Sequence, residues 1–144
     1  MEIPARLLDS DASLPRYANE DDAGCDLVAN ESCTLRRGGG RALVGTGVSI
    51  AIPTGHCGLV LPRSGLATKH GVTCANAPGL IDAGYRGELR VALVNLDPDS
   101  DYDVKKGDRI AQLVIMPFVA ADFTIVDELP PARRGSDGFG SSGR

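Results

Sequence analysis

The chain has 144 residues, 42% apolar and 24% charged, with 18 glycines, 9 prolines and no tryptophan, which favours one domain burying roughly 68–70% of its unfolded surface. Fifteen basic against nineteen acidic residues give a formal charge of −4, so the electrostatic footprint that duplex nucleic acid requires is missing. Apolar runs such as Val91–Val94 and Leu113–Met116 are too short for a bilayer, and Met1–Ser10 carries Glu2 and Asp9 without an apolar h-region; a cytoplasmic protein with no nucleic-acid and no membrane partner is expected.

In chain order, the first segment of note is Asp22-Ala23-Gly24-Cys25-Asp26-Leu27-Val28-Ala29, two carboxylates around a turn glycine. It reads either as a solvated acidic turn entering a strand or as a carboxylate pair available for chemistry. Cys25, Cys33, Cys57 and Cys74 include no C-x-x-C pair; small free thiols are expected in preference to zinc ligands or disulfides. From Ala42 to Ile52 the period is two, with Val44, Val48, Ile50 and Ile52 on one face and Gly45, Gly47, Ser49 and Ala51 on the other. Cys57–Leu61 predicts the next strand.

Pro62-Arg63-Ser64-Gly65-Leu66-Ala67 then puts a cation, a hydroxyl and a glycine before a short helix, with Ser64 as its cap and Gly71 at its end. Such a segment serves equally as a plain strand-to-helix turn or as a phosphate site, because uncapped N–H groups and positive charge favour anions. After a strand over Val72–Asn76 comes Asn76-Ala77-Pro78-Gly79-Leu80-Ile81-Asp82-Ala83-Gly84-Tyr85-Arg86-Gly87-Glu88. Asp82 on this tight, partly buried turn is either a general base towards a water or a residue that shapes the hairpin.

Leu89, Val91 and Leu93 alternate with Arg90, Ala92 and Val94 as another strand. The acidic run Asp97, Asp99, Asp101, Asp103 reads as a solvated loop, since it lacks the glycine turn and distal glutamate of an EF-hand. Strands over Tyr102–Val104, Ile110–Met116 and Phe123–Val126 complete the pattern, with Gln112 the one neutral polar residue entering an apolar strand. Turn signals at Gly38–Gly40, Pro53–Gly55, Asp97–Asp99 and Lys106–Asp108 separate the strands. Many short strands at close spacing predict an all-β barrel or sandwich with one short helix. Beyond Pro130-Pro131 the composition changes: residues 133–144 read RRGSDGFGSSGR, too poor in apolar surface to order themselves, yet suited to wrapping an anion.

Taken together, these segments resemble the five ordered motifs of the trimeric dUTP pyrophosphatase (dUTPase) family, running from Asp22 to Gly143 with RSGLA, NAPGLIDAGYRGE and GDRIAQL as the close matches. The resemblance implies a jelly-roll-like β-barrel over residues 1–132, a flexible Gly-rich C-terminal arm over residues 133–144, and a homotrimer with active sites between subunits. It implies hydrolysis of dUTP to dUMP and pyrophosphate, limiting uracil incorporation into DNA and supplying dUMP for dTTP synthesis. Asp82 would be the base activating the water that attacks the α-phosphorus, and Tyr85 the aromatic that packs under deoxyribose and excludes a 2′-hydroxyl. Asn76, Gly79 and the backbone of Leu80, Ile81 and Arg90 would line the uracil pocket. Arg63, Ser64, Gly65 and Gln112 would contact phosphates, and Asp26 would face Mg²⁺ through a metal-bound water. In the arm, Phe139 would stack on uracil while Arg134, Gly140, Ser141 and Ser142 close over the phosphates. Asp137 departs from the family pattern by replacing a glycine before that aromatic. The related dCTP deaminases would need a glutamate where Ala92 stands, and the paired serines of their phosphate motif are here Arg63-Ser64-Gly65.

Overall fold

A computed structural model describes residues 1–132 together with Gly135 and Ser136. Eleven strands and one helix follow in order: β1 (Ala5–Leu7), β2 (Cys25–Val28), β3 (Cys33–Leu35), β4 (Gly40–Gly45), β5 (Val48–Ile50), β6 (His56–Leu61), α1 (Ser64–His70), β7 (Val72–Cys74), β8 (Gly79–Ile81), β9 (Arg90–Asn95), β10 (Tyr102–Val104) and β11 (Arg109–Pro117). All strand pairs are antiparallel. They form a four-stranded sheet β2-β11-β6-β8, a three-stranded sheet β4-β9-β7, and the pairs β1-β5 and β10-β3. This is the all-β arrangement with one short helix that the alternating sequence predicted, consistent with the jelly-roll-like barrel that the family resemblance implied.

Leu27 and Ile110 from the larger sheet and Val44, Val72, Val91 and Leu93 from the smaller are each 1% exposed, so the inward faces of both sheets supply one core. Alternation along β9 works as the period-two rule requires: Val91 and Leu93 are buried, Arg90 is exposed and Ala92 is half-buried. The run read as one strand from Ala42 to Ile52 is instead two, because Gly47 takes φ +69°. A Cβ there would sit 2.6 Å from Ala12 Cβ, so only glycine fits the break. Gly58 in the middle of β6 is equally confined, with Ile52 Cδ1 3.0 Å and Leu113 Cδ1 3.1 Å from where a Cβ would stand.

Two sequence expectations need correction. Ser64 is the first residue of α1 rather than its cap; Arg63, in extended conformation, takes the cap position, and no side chain caps the turn. Gly71 ends the helix in the left-handed region, as expected. The segment Phe123–Val126 is not a strand: Phe123 is 96% and Ile125 99% exposed. β-propensity alone could not pair it, since a strand forms only where another edge lies alongside.

The acidic run ties its own loop together. Asp97 accepts hydrogen bonds from the amides of Asp99 and Ser100 at 2.8 and 2.9 Å. Asp101 accepts from Arg36 Nη1 at 2.7 Å and the Arg37 amide at 2.9 Å. Cys25, Cys57 and Cys74 are buried free thiols and Cys33 is a half-buried one. Among the described residues no helix is long and apolar enough to cross a membrane.

Candidate active site

The candidate residues fall into two groups arranged along β6. In the first, Gln112 on β11 pairs with Asp26 on β2 and with Leu61 on β6, which puts the three side chains on one face. Arg63 follows two residues after Leu61 and turns back on this face. Its Nε lies 3.3 Å from Asp26 Oδ1, and its Nη1 donates to the Arg109 carbonyl at 2.9 Å. Arg109 in turn donates from Nη1 to Asp26 Oδ2 at 3.0 Å. Asp26 is 6% exposed, so two guanidiniums of opposite charge are what make an ionised carboxylate tolerable there. Gly24 leaves room for the Gln112 side chain, whose Cβ would lie 3.2 Å from a Cβ at that position.

Ser64 and Gly65 open α1 beside this cluster, both exposed, and nothing lies within 4 Å of where a Gly65 Cβ would stand. A hydroxyl and open backbone therefore face solvent beside the largely buried Arg63 guanidinium, an arrangement suited to phosphate oxygens.

The second group surrounds the hairpin between β8 and β9. Leu80, Ile81, Asp82, Tyr85 and Arg90 line one cleft of about 280 Å³, together with Leu43 and Glu88. The Tyr85 amide donates to the Asp82 carbonyl at 3.0 Å, closing the turn. The phenol folds back across Gly87 and donates to the Glu88 carbonyl at 2.9 Å. Gly79 is buried, and a Cβ there would come within 3.2 Å of Asn76 Nδ2, so glycine lets the Asn76 amide lie against the hairpin backbone. The intervening Ala77–Pro78 peptide is cis. Asp82 itself is exposed rather than partly buried.

The Arg90 side chain is engaged by the barrel. Its Nη2 donates to the Leu43 carbonyl at 2.9 Å and lies 3.5 Å from Glu31 Oε1, while its Nε lies 3.7 Å from Glu88 Oε2. Leu43, Glu88 and Arg109 were not singled out from the sequence. Glu88 and Arg109 stand inside the quoted motifs, but only the fold shows what each one holds.

Along β6, Ile81 pairs with Gly58 and Gln112 with Leu61, positions three residues or about 10 Å apart at ~3.3 Å per residue. Arg134, Phe139, Gly140, Ser141, Ser142 and Asp137 lie outside the described residues. Ala92, where the resemblance to dCTP deaminases would require a glutamate, pairs with Leu43 across β4 and β9.

A magnesium role for Asp26 fits the structure in one form. Its Oδ1 is buried without a directed hydrogen-bond donor, because the 3.3 Å approach of Arg63 Nε is a charge contact only. That free acceptor suits a water carried by a hard cation. Among the described residues no three His, Cys, Asp or Glu side chains converge, so the remaining ligands would come from water and substrate oxygens.

The family model for dUTPase matches residues 10–143. The deoxyuridine 5'-triphosphate nucleotidohydrolase of Leifsonia xyli subsp. xyli (strain CTCB07) is 58% identical over 130 residues, 90% of this chain and 85% of that one. Its counterpart in Thermobifida fusca (strain YX) is 52% identical over 143 residues, 99% and 79% of the two chains. The solved Staphylococcus bacteriophage 80alpha dUTPase with dUpNHpp is similar with a TM-score of 0.90 at 31% identity, covering 99% of both chains. A mutant dUTPase from phage phi11 of S. aureus, whose structure shows the coordination of a structural Mg(II) ion, has a TM-score of 0.80 at 28% identity, covering 91% of this chain and 100% of that one.

Proposed function

The chain belongs to the dUTPase family, and from that premise we propose how its own residues convert dUTP to dUMP and pyrophosphate. The observation that carries this reading is the single cleft lined by Leu80, Ile81, Asp82, Tyr85 and Arg90. Uracil lies against the Asn76, Gly79, Leu80, Ile81 and Arg90 backbone, where fixed donors and acceptors reward uracil and leave cytosine unpaired. Tyr85 packs under the sugar and leaves no space for a 2′-hydroxyl.

The Asp82 carboxylate accepts the proton of a water as that water's oxygen bonds to the α-phosphorus. The bond from the α-phosphorus to the bridging oxygen breaks, and pyrophosphate leaves with the electron pair. Arg63, Ser64, Gly65 and Gln112 hold the phosphates and stabilise charge as it develops. Mg²⁺ is the cofactor; when bound, it neutralises phosphate oxygens and helps orient them. Asp26 holds it through water and at the same time holds Arg63 in place.

The offset of about 10 Å along β6 between Gly58, opposite Ile81, and Leu61, opposite Gln112, supports a site shared between chains. A homotrimer brings the hairpin of one subunit to the phosphate group of another. The exposed apolar segment carrying Phe123 and Ile125 supports the same reading, since a surface of this kind calls for a partner. Residues 1–132 form the barrel domain, and residues 133–144 act as an arm in which Arg134, Gly140, Ser141 and Ser142 cover the phosphates while Phe139 stacks on the base. The enzyme works in the cytoplasm, lowering dUTP and supplying dUMP.

Pyrophosphate release from dUTP, dCTP, dTTP and UTP, with and without Mg²⁺ and with ammonia followed in parallel, tests the reading. Strong preference for dUTP without ammonia is expected. Ammonia from dCTP would move the chain to the deaminase branch, and silence on every nucleotide from folded protein would leave a binding module.

A further inference from the structure

Glu88 holds the hairpin at two points, and no step of the reaction above uses it. Its Oε1 accepts the Gly47 amide at 2.8 Å, and its backbone carbonyl accepts the Tyr85 hydroxyl at 2.9 Å. Gly47 occupies the break between β4 and β5 with φ +69°, where its N–H has left the strand ladder and needs an acceptor. Gly45 makes room for the carboxylate: a Cβ there would lie 2.5 Å from Glu88 Oε1. Side chain and main chain of one residue thus connect the barrel to the aromatic ring.

The ring is partly open to solvent. Tyr85 is 44% exposed, and its hydroxyl end sits over Gly87, where a Cβ would come within 2.6 Å of its Cζ. A ring held by one hydrogen bond and one glycine surface keeps its angle only if the accepting carbonyl stays fixed. Glu31 reinforces the arrangement by accepting the Gly45 amide at 2.6 Å while facing Arg90.

We propose that Glu88 is a positioning residue for sugar selection: its carboxylate, anchored on Gly47, fixes the carbonyl that sets the Tyr85 ring against the 2′ position. The inference rests on reading Tyr85 as the residue that packs under deoxyribose. Excluding a hydroxyl is a matter of a few tenths of an ångström, so a loosened ring admits UTP before dUTP turnover suffers in proportion. A residue that merely supported the barrel would lower both substrates together.

The test compares kcat/KM for UTP and dUTP in the parent, Glu88→Ala, Glu88→Gln and Tyr85→Ala enzymes. In Glu88→Ala the UTP-to-dUTP ratio is expected to rise about tenfold, because small misplacements of positioning groups change rates by such factors. Glu88→Gln keeps an oxygen acceptor for Gly47 and is expected to stay within about twofold of the parent. An unchanged ratio in Glu88→Ala while Tyr85→Ala raises it overturns this inference alone, as does Glu88→Gln behaving like Glu88→Ala. An unchanged ratio in Tyr85→Ala overturns the reading of Tyr85 and the inference with it. If Glu88→Ala does not fold, Glu88→Asp, one methylene too short for Gly47, carries the same comparison. The chain has three tyrosines, so ¹⁹F spectra of 3-fluorotyrosine protein give a second readout. The Tyr85 resonance is expected to shift in Glu88→Ala and to return in Glu88→Gln; a resonance that stays put in Glu88→Ala counts against the proposal.

Discussion

Arg63 Nε stands 3.3 Å from Asp26 Oδ1, while Arg109 holds the other oxygen at 3.0 Å. The carboxylate proposed to face Mg²⁺ is therefore also the counter-charge that holds the Arg63 guanidinium in place. Asp26→Ala should lower stability by about 1–3 kcal/mol, because the two guanidiniums lose their buried acceptor while half-exposed Arg109 recovers part of the loss from solvent. Urea unfolding checks this, and a variant as stable as the parent would show that water replaces the carboxylate fully.

Replacing Asp82 with asparagine keeps the shape of the turn but removes the base. Turnover of dUTP should fall roughly 10²–10⁴-fold while affinity for a non-hydrolysable analogue is largely retained. Single-turnover kinetics and calorimetry separate the two quantities. A variant with parental turnover would strip Asp82 of its role.

Phe123 and Ile125 present nearly all of their surface to solvent in the single chain. Placing aspartate at both positions should shift sedimentation from trimer towards monomer and remove activity, while circular dichroism still reports a folded barrel. A trimer that persists would locate the subunit contacts elsewhere.

Burial pushes the Cys74 thiol up from 9.0 to about 11, and burial likewise raises Cys25 and Cys33. A thiol whose pKa is higher in the folded state keeps its proton longer there. Its stabilisation is complete below pH 9 and is lost as pH rises towards 11, where the unfolded chain sheds the proton first. Unfolding curves at pH 8 and pH 10.5 should differ more in the parent than in Cys74→Ala. Native protein at pH 8 should react slowly with thiol reagents, and denaturation should release all four cysteines.

Deleting Gly135–Arg144 removes Phe139, Gly140, Ser141 and Ser142 together. Activity should fall sharply, because the closure proposed for residues 133–144 would exclude water and complete the charge-stabilising shell. Thermal unfolding of the barrel should be nearly unchanged. Dissociation of the trimer would instead make these residues structural.

Much of the fold is written in local pattern. Leu89, Val91 and Leu93 announce the buried face of β9, and Gly71 announces the end of α1, because period and backbone freedom act over a few residues. β1, β3 and β8 do not stand out in the sequence, since strands of three residues show too little alternation unless turn signals frame them, as Asp97–Asp99 and Lys106–Asp108 frame Tyr102–Val104. Phe123–Val126 shows the opposite error: it has the composition of a strand but no edge beside it within the chain.

The active-site chemistry follows the same division. Residue types and spacings leave Asp82, Arg63 and Gln112 open to plain structural readings, and only the resemblance of the ordered segments to the dUTPase motifs gives these residues and Tyr85 their expected roles. Only the tertiary structure shows that Asp26 is clasped by Arg63 and Arg109, that Glu88 joins Tyr85 to Gly47, and that β6 sets Ile81 opposite Gly58 and Gln112 opposite Leu61. Those facts depend on strand register, which brings together residues from Asp26 to Gln112 that no local period connects. Sequence fixes which groups are available; the pairing of strands, driven by burial of both inner faces, decides which of them act on one another.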